Sequence, residues 1–301
     1  MSKSQILQTQ KIGSKSVLLQ QRSWALLRFA KTKPLGAISL VVLLIVVTVA
    51  IFRAPLAPYD PLYMIPDAEL TSPNAQYWMG TDNYGRDILS RIIHGSWISL
   101  YVGIGSVILL TTAGSAVGLT SGFYGGKFDL VVQRVMDGLM AFPTLLLAIL
   151  VMSILGQGLN NVVLVIALVS TPGLNRVVRG TTLSVKESDY ITAARCIGAS
   201  EIRIAIRHVL PNVVAPIIIV ATSAMGSAIL IEASLSFLGL GTPPPTPSWG
   251  GELAGHARDW MMRAPWMAIF PGLTLGIVVL SINLLGDALR DVLDPRLRGS
   301  R

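Results

Sequence analysis

Residues 189–212, DYITAARCIGASEIRIAIRHVLPN, form a polar and partly basic stretch between two long apolar parts of the chain. Such a stretch is unusual in this sequence, because 52% of the 301 residues are hydrophobic and only 13% are charged. Soluble domains carry about 25% charged residues. The composition therefore predicts a chain that lies in a lipid bilayer, with residues 189–212 in the water between two spans.

Six apolar runs in the sequence are candidate membrane spans, because about 20 apolar residues in a helix cross the hydrocarbon of a bilayer. Pro143 lacks an N–H group and predicts a kink in the third run, which continues a helix that begins near Leu130. These runs predict an all-α integral membrane protein with six transmembrane helices. They cover residues 35–52, 97–126, 138–155, 162–174, 213–231 and 264–286.

The distribution of Lys and Arg predicts the orientation of the spans. Nineteen of these 24 residues lie in alternate connections, namely 1–34, 127–134, 175–212 and the tail from residue 287. Basic residues concentrate on the cytoplasmic side of a membrane, so both termini are predicted to be cytoplasmic. The net charge of +8 then comes from the basic residues of the predicted cytoplasmic connections, and nucleic-acid binding is not expected.

This orientation divides the chain into three predicted parts. A cytoplasmic segment, 1–34, precedes a transmembrane domain, 35–290, and a cytoplasmic tail, 291–301, follows it. Within the transmembrane domain we expect a cytoplasmic loop at 179–212. The two long extracytoplasmic loops are expected at 53–96 and 239–265.

The opening stretch has the features of two short helices. Gly198 is a natural helix stop, Ser200 is a candidate N-cap, Glu201 suits the first turn of a second helix, and Pro211 is expected to end the unit. Spacing alone allows two interpretations, an amphipathic hairpin at the membrane surface or a docking element for a cytosolic partner. The residues at i, i+3 or i+4 spacing that predict two apolar stripes are Tyr190, Ala193, Ala194 and Ile197, followed by Ile202, Ala205, Ile206 and Val209.

The stretch resembles the EAA loop of bacterial ABC-importer permeases, whose pattern is Glu-Ala-Ala, three residues, Gly, nine residues, Ile, one residue, Leu-Pro. Gly198 fits this pattern, whereas Thr192 replaces the glutamate and His208 the isoleucine. The resemblance implies that the helix around Gly198 lies in a groove of an ATP-binding subunit and transmits its movement to the spans. The coupling residues that it implies are Asp189, Ala193, Ala194, Gly198, Ala199, Ser200, Glu201, Leu210 and Pro211.

Three further stretches are similar to the C-type permeases of the dipeptide, oligopeptide and nickel branch of that family. They are GTDNYGRDILSR at 80–91, FLGLGTPPPTPSWG at 237–250 and NLLGDALRDVLDPR at 283–296. The resemblance implies a type I ABC importer permease fold in a bacterial inner membrane. It implies four kinds of partner besides the lipid: a second homologous permease, two ATP-binding subunits and an extracytoplasmic peptide-binding protein. Dipeptides or oligopeptides are the expected cargo, and nickel or glutathione is the alternative.

The chain is not expected to hydrolyse ATP itself. Gly126-Lys127 is followed by Phe128 where a phosphate-binding loop needs Ser or Thr, so ATP and Mg²⁺ are expected on partner subunits and no cofactor or metal in this chain. A transporter driven by an ion gradient would favour paired ionisable groups or broken helices at mid-membrane. Asp137 and Glu232 lie near the ends of their runs, and no catalytic pair for an intramembrane enzyme is evident.

Several polar and aromatic residues carry local predictions. Asp137 is expected to pair with Arg134, and Arg290 with Asp287 or Asp291. Glu232 is expected either to face the transport path or to reach the outer surface. Trp249, Trp260 and Trp266 are expected to anchor the outer interface. Small and hydroxyl residues in the second run predict close helix packing, with a polar wall of the path as the alternative: Ser99, Gly103, Ser106, Thr111, Thr112, Gly114, Ser115 and Gly118.

Overall fold

A computed structural model describes residues 31–254 and 256–293. Most of the predicted segment 1–34, the charges at Asp294 and Arg296, and most of the tail 291–301 lie outside the described residues. The described chain is helical, and its helices are α1 (Pro34–Ile51), α2 (Arg53–Leu56), α3 (Ile88–Tyr124), α4 (Gly126–Met140), α5 (Thr144–Leu155), α6 (Leu159–Lys186), α7 (Asp189–Cys196), α8 (Glu201–Ile204), α9 (Leu210–Phe237), α10 (Trp249–Leu253), α11 (His256–Asp259) and α12 (Trp266–Leu293).

Five helices and one bent pair of helices of the described chain are candidate membrane spans. α1, α3, α6, α9 and α12 are each long and apolar enough to cross a membrane, and α4 and α5 pass the same test only as a pair, with a bend of 94° between them. The bend lies next to Pro143, so the predicted kink is confirmed as a full break between two helices. α3 begins before the predicted run, because Asp87 caps it by accepting a 2.8 Å hydrogen bond from the Ser90 N–H.

Contacts between distant connections place alternate connections on the same side of the bundle. On the predicted cytoplasmic side, Lys33 pairs with Asp291, and Lys186 donates to the carbonyl of Phe123. On the opposite side, the Gln157 amide donates to the backbone of the loop after α9 over 2.6 Å. α3 begins at Ile88, within the predicted outer loop 53–96, and α6 and α9 extend into the two ends of the predicted loop 179–212.

α3 and α6 pack backbone to backbone along a row of glycines spaced by four residues, Gly114, Gly118 and Gly122. A methyl group on Gly118 would lie 2.8 Å from the carbonyl oxygen of Asn175. Small residues allow this close approach in lipid, where dispersion rather than the hydrophobic effect holds helices together. The predicted packing role of the small residues is therefore confirmed for Gly114 and Gly118.

A buried ion pair joins the first turn of α3 to α10. The Arg91 guanidinium, only 5% exposed, donates to both carboxylate oxygens of Glu252 over 2.9 and 2.7 Å, and to the Pro61 carbonyl over 2.8 Å. Trp249 is 1% exposed, and its indole donates to the Ile92 carbonyl over 3.1 Å. The expectation that Trp249 anchors the membrane interface is wrong, because it fills the core between α3 and α10.

Replacing Arg91 with alanine is expected to cost about 3–5 kcal/mol of stability, because it leaves the Glu252 carboxylate buried without a countercharge. The matched control is Arg258→Ala, since Arg258 lies 3.9 Å from Asp259 with both side chains largely exposed. We expect a lower thermal unfolding temperature in detergent for the first variant and an unchanged one for the second. Equal unfolding temperatures for both variants would contradict the structural role of the buried pair.

The ion pairs predicted from local spacing are wrong. Asp137 accepts from Arg176 of α6 over 3.1 Å rather than from Arg134. Asp291 pairs with Lys33 rather than with Arg290. In both cases the partner comes from a distant part of the chain, because helix packing brings its long side chain closer than the neighbour on the same helix.

Glu232 occupies neither of its two expected locations, since its side chain is completely buried where α3, α9 and α10 meet. Its carboxylate accepts hydrogen bonds from the hydroxyls of Ser236, over 2.8 Å, and Ser99, over 3.4 Å. The Ser99 hydroxyl in turn accepts from the backbone N–H of Trp249 over 3.4 Å. These bonds satisfy a carboxyl group that would otherwise be costly to bury.

Candidate coupling site

α7 packs against the ends of α3 and α6 on the predicted cytoplasmic side. Ile191 and Ala194 are the side chains of α7 that are buried there. They stabilise the short helix, because an isolated helix of eight residues is not stable in water. The buried cluster that holds the segment in place contains Leu110, Phe123, Ala167, Leu174, Val178, Ile191, Ala194, Ile204, Val209 and Val213.

Gly198 ends α7 in a Schellman turn. The Gly198 N–H donates to the Arg195 carbonyl over 2.9 Å, and the Ala199 N–H donates to the Ala194 carbonyl over 3.0 Å. Gly198 has a φ of +82°, which side chains other than glycine adopt at a cost. No neighbouring atom of the chain lies within 4 Å of the position that a Cβ of Gly198 would occupy. The backbone of Gly198 is therefore accessible from outside the chain.

The second helix begins as the sequence predicts. Ser200 caps α8 by accepting from the Arg203 N–H over 3.4 Å, and Glu201 lies in the first turn. The Glu201 carboxylate also accepts from Nε and Nη2 of Arg195 over 3.0 and 3.3 Å. This ion pair joins α7 to α8 across the glycine turn and raises the pKa of the Arg195 guanidinium.

Pro211 does not end the unit, contrary to the prediction. A π-helical turn, Ala205–Val209, joins α8 to α9, so the helix is continuous from Glu201 to Phe237. Pro211 falls in the first turn of α9, and the Leu210 N–H reaches back five residues to Ala205. In an ordinary α-helix a proline ring crowds the carbonyl group four residues earlier. The wider π turn leaves room for the ring of Pro211. The loop and the fifth span therefore form one rod.

The predicted apolar stripes are largely turned outward. Ile197, Ile202 and Ile206 are 86%, 66% and 60% exposed, and Tyr190 is also exposed. The side chains that pack inward include Ile191 and Ile204, which the stripes omitted. A helix of only two turns has too few apolar residues for their spacing to show which side faces the bundle. We name the outward apolar set of Tyr190, Ile197, Ile202 and Ile206 the coupling face.

The predicted coupling residues lie around the turn at Gly198, except Leu210 and Pro211. Arg195 was missed, since no local signal marks an ion pair across a turn. The isoleucines of the coupling face were placed in the predicted apolar stripes but were not among the coupling residues that the resemblance implied. Exposed positions are Asp189, Ala193, Gly198, Ser200, Glu201 and Pro211; Ala199 and Leu210 are half-buried, and Ala194 is buried.

In the residues that the structure describes, no group of three or more His, Cys, Asp or Glu side chains is arranged to hold a metal ion. Cys196 is a free and exposed thiol. What the segment offers is an apolar surface with a rigid turn, attached directly to a membrane-spanning rod.

Comparison with known proteins gives one family. The family model described as "Binding-protein-dependent transport system inner membrane component" matches residues 114–299. The chain is 45% identical over 279 residues to the di/tripeptide transport system permease protein DppC of Pseudomonas aeruginosa (strain UCBPP-PA14), covering 90% of this chain and 91% of that protein. It is equally identical over 273 residues to the glutathione transport system permease protein GsiD of Escherichia coli O6:K15:H31, covering 90% and 89%.

A third relative and one solved structure agree with this result. The dipeptide transport system permease protein DppC of Alkalihalophilus pseudofirmus is 40% identical over 268 residues, covering 89% of this chain and 88% of that protein. A chain from the MetNI methionine ABC transporter, solved in inward-facing conformations, matches with a TM-score of 0.56 at 18% identity, covering 68% of this chain and 96% of that one. At that identity the match shows the fold alone.

Proposed function

Because the chain belongs to the family of binding-protein-dependent transport system inner membrane components and is an ABC importer permease, we propose that it imports small peptides across a bacterial inner membrane. In this proposal it forms the path together with a second homologous permease. The names of its relatives support a cargo of two or three amino acids. An extracytoplasmic peptide-binding protein delivers the cargo, and two separate ATP-binding subunits, which hold ATP and Mg²⁺, drive the import.

The coupling face is the observation that carries this proposal. Exposed isoleucines in a water-facing segment favour a protein partner, since apolar surface is left in water at a cost of about 25 cal/mol per Å². The face lies on the predicted cytoplasmic side, where the ATP-binding subunits work. Gly198 lets a partner approach the backbone closely, because no side chain covers it.

The helix Glu201–Phe237 supplies the mechanical link. Its cytoplasmic end carries part of the coupling face, and its outer end carries Glu232 among Ser99 and Ser236. A displacement of the coupling face by the ATP-binding subunits would therefore reach the outer end of the path through a single rod. Proton chemistry in this chain is not required, because the ATP-binding subunits supply the free energy.

Glutathione is a second candidate cargo. The glutathione permease relative is as similar as the di/tripeptide relative and covers nearly the same share of the chain. Both cargoes are short peptides, so they share backbone groups and differ in side chains and linkage. Nickel, the other alternative, has no support among the relatives named above.

The proposal is tested by extracting the native protein in a mild detergent and identifying by mass spectrometry what co-purifies with it. We expect a second six-span permease and two chains that contain phosphate-binding loops. The ligand stripped from the associated binding protein should then be a di- or tripeptide, or glutathione. A chain that emerges alone, or only with copies of itself, would contradict the proposed function, and transport driven by an ion gradient would be tested next.

A further inference from the structure

A cleft lies at the bend between α4 and α5 and is bounded by α6 and α9. It has a volume of about 490 Å³, and its lining mixes apolar side chains with neutral hydroxyls and carries no charged group. Pockets of about 300–1,000 Å³ bind small molecules. The cleft therefore has room for a short peptide, and its lining favours no particular side-chain charge. Its lining includes Met140, Phe142, Leu145, Ser170, Gly173 and Ser227.

The ion pair of Asp137 and Arg176 lies next to this cleft. Asp137 is one helical turn before Met140 on α4, and Arg176 is one helical turn after Gly173 on α6. Both Met140 and Gly173 line the cleft. A turn of three residues spans about 4.5 Å along the helix axis. The pair is therefore at the edge of the cleft, on its predicted cytoplasmic side.

This pair is exposed although it lies well inside both helices. Arg176 precedes the end of α6, and Asp137 follows the start of α4, by about 15 Å of helix each. Their side chains are nevertheless 59% and 56% exposed. Charges at such a depth face water or protein, because hydrocarbon does not solvate them. In the proposed function a second permease encloses the path, so groups that line the path are uncovered in this chain alone.

A second ion pair between the same two helices has a different geometry. Arg179 donates from Nε and Nη2 to both carboxylate oxygens of Asp129, each over 2.6 Å, and these side chains are only 30% and 14% exposed. Asp137 and Arg176 share a single hydrogen bond of 3.1 Å. An exposed pair of that kind adds little stability, so it exchanges partners readily. The Asp129 pair suits a fixed tie between α4 and α6, whereas the Asp137 pair suits a site that opens.

We propose that Asp137 and Arg176 bind the two charged termini of the cargo peptide at the cytoplasmic edge of the cleft. The inference rests on the proposed function, which supplies a cargo with an ammonium group and a carboxylate group. The carboxylate of the peptide replaces Asp137 on the Arg176 guanidinium, which binds carboxylates through two parallel hydrogen bonds. The released Asp137 carboxylate then accepts hydrogen bonds from the ammonium group of the peptide.

Such a site recognises what short peptides have in common. The termini are the same in every unmodified peptide, while the side chains lie in a cleft whose lining carries no charge. Binding is weak, because the peptide must displace an existing ion pair before it gains its own. Weak binding suits a path, since a cargo that binds tightly is not released.

Protection of a thiol in the cleft tests this site in the complete complex. Ser170→Cys introduces the thiol, and its reaction with a water-soluble maleimide is followed by mass spectrometry in detergent without ATP. The exposed thiol of Cys196 on α7 is the internal control. For a dissociation constant of about 1 mM, about 10 mM free dipeptide should slow the labelling at position 170 about tenfold. The same dipeptide, acetylated at its N terminus and amidated at its C terminus, should have little effect, and neither peptide should change the labelling of Cys196.

Three variants separate a binding role from a purely structural one. Asp137→Asn and Arg176→Gln each remove one charge of the exposed pair, and Asp129→Asn removes one charge of the covered pair. We expect the protection by free dipeptide to be lost in the first two variants and kept in the third. A purely structural pair would lower the thermal unfolding temperature but leave the difference between free and blocked dipeptide unchanged, and that result overturns the inference.

Uptake of labelled dipeptide by the unmodified complex is measured in parallel, so that two kinds of failure are distinguishable. If the complex takes up dipeptide but free and blocked dipeptides protect position 170 equally, or neither protects it, the inference is overturned and the proposed function stands. If the complex takes up no short peptide, the proposed function fails and the inference fails with it.

Discussion

Replacing Gly198 with arginine is expected to abolish cargo uptake while the protein still folds and inserts into the membrane. No chain atom lies within 4 Å of the added Cβ, so the new side chain projects out of the molecule into the proposed site of the ATP-binding subunit. Burying an unpaired charge in that interface would cost several kcal/mol. A loss of about 3 kcal/mol lowers association by about a hundredfold.

The measurement pairs two assays with a strain control. Uptake of labelled dipeptide is compared with the amount of ATP-binding subunit that co-purifies. Gly198→Ala has the same strain at a φ of +82°, about 1–2 kcal/mol, but adds only a methyl group. We expect the alanine variant to keep most of its uptake and the arginine variant to lose it. Normal uptake and normal assembly in the arginine variant would remove the coupling role of this turn.

Replacing Gly118 with alanine is expected to destabilise the bundle. The added methyl would lie 2.8 Å from the Asn175 carbonyl oxygen and 2.9 Å from the Val178 Cβ. A backbone atom cannot move aside as the end of a flexible side chain does, so α3 and α6 would have to separate. Overpacking of this kind costs about 1–3 kcal/mol, and a separation of two spans would raise the cost further.

A matched substitution at Gly276 is expected to change the stability in the opposite direction. Gly276→Ala places the same methyl in open space on an exposed helix. It should be neutral or stabilise the protein by up to about 1 kcal/mol, since alanine is the better helix former. Thermal unfolding in detergent should therefore move down for Gly118→Ala and stay or move up for Gly276→Ala. Equal shifts would show that α3 and α6 do not pack as closely as described.

The coupling segment shows how far local reasoning reaches. The stop at Gly198, the cap at Ser200 and the acidic first turn at Glu201 are all in place, because each depends on atoms within a few residues. The pattern predicted an apolar stripe on α7 but did not assign the outward and inward sides of the helix. A helix of eight residues has too few apolar positions for its pattern to show which side meets the ends of α3 and α6.

Pro211 shows a different limit. The residue was expected to stop a helix, since it lacks an N–H group and its ring crowds the preceding turn. The chain instead inserts a π turn before it and continues as one rod. Whether a proline breaks a helix or is accommodated depends on the surrounding packing, here the burial of Val209 and Val213 in the cluster under α7.

Hydropathy and charge act residue by residue, so the sequence was enough to predict an all-α membrane protein with up to six spans, which the helices bear out. Its motifs also predicted the importer family, which the relatives confirm. Only the tertiary structure decided that Asp137 meets Arg176, 39 residues away, and that Lys33 meets Asp291, 258 residues away. Those pairings, and the surfaces left uncovered, arise from how helices pack, which depends on contacts among residues far apart in the chain.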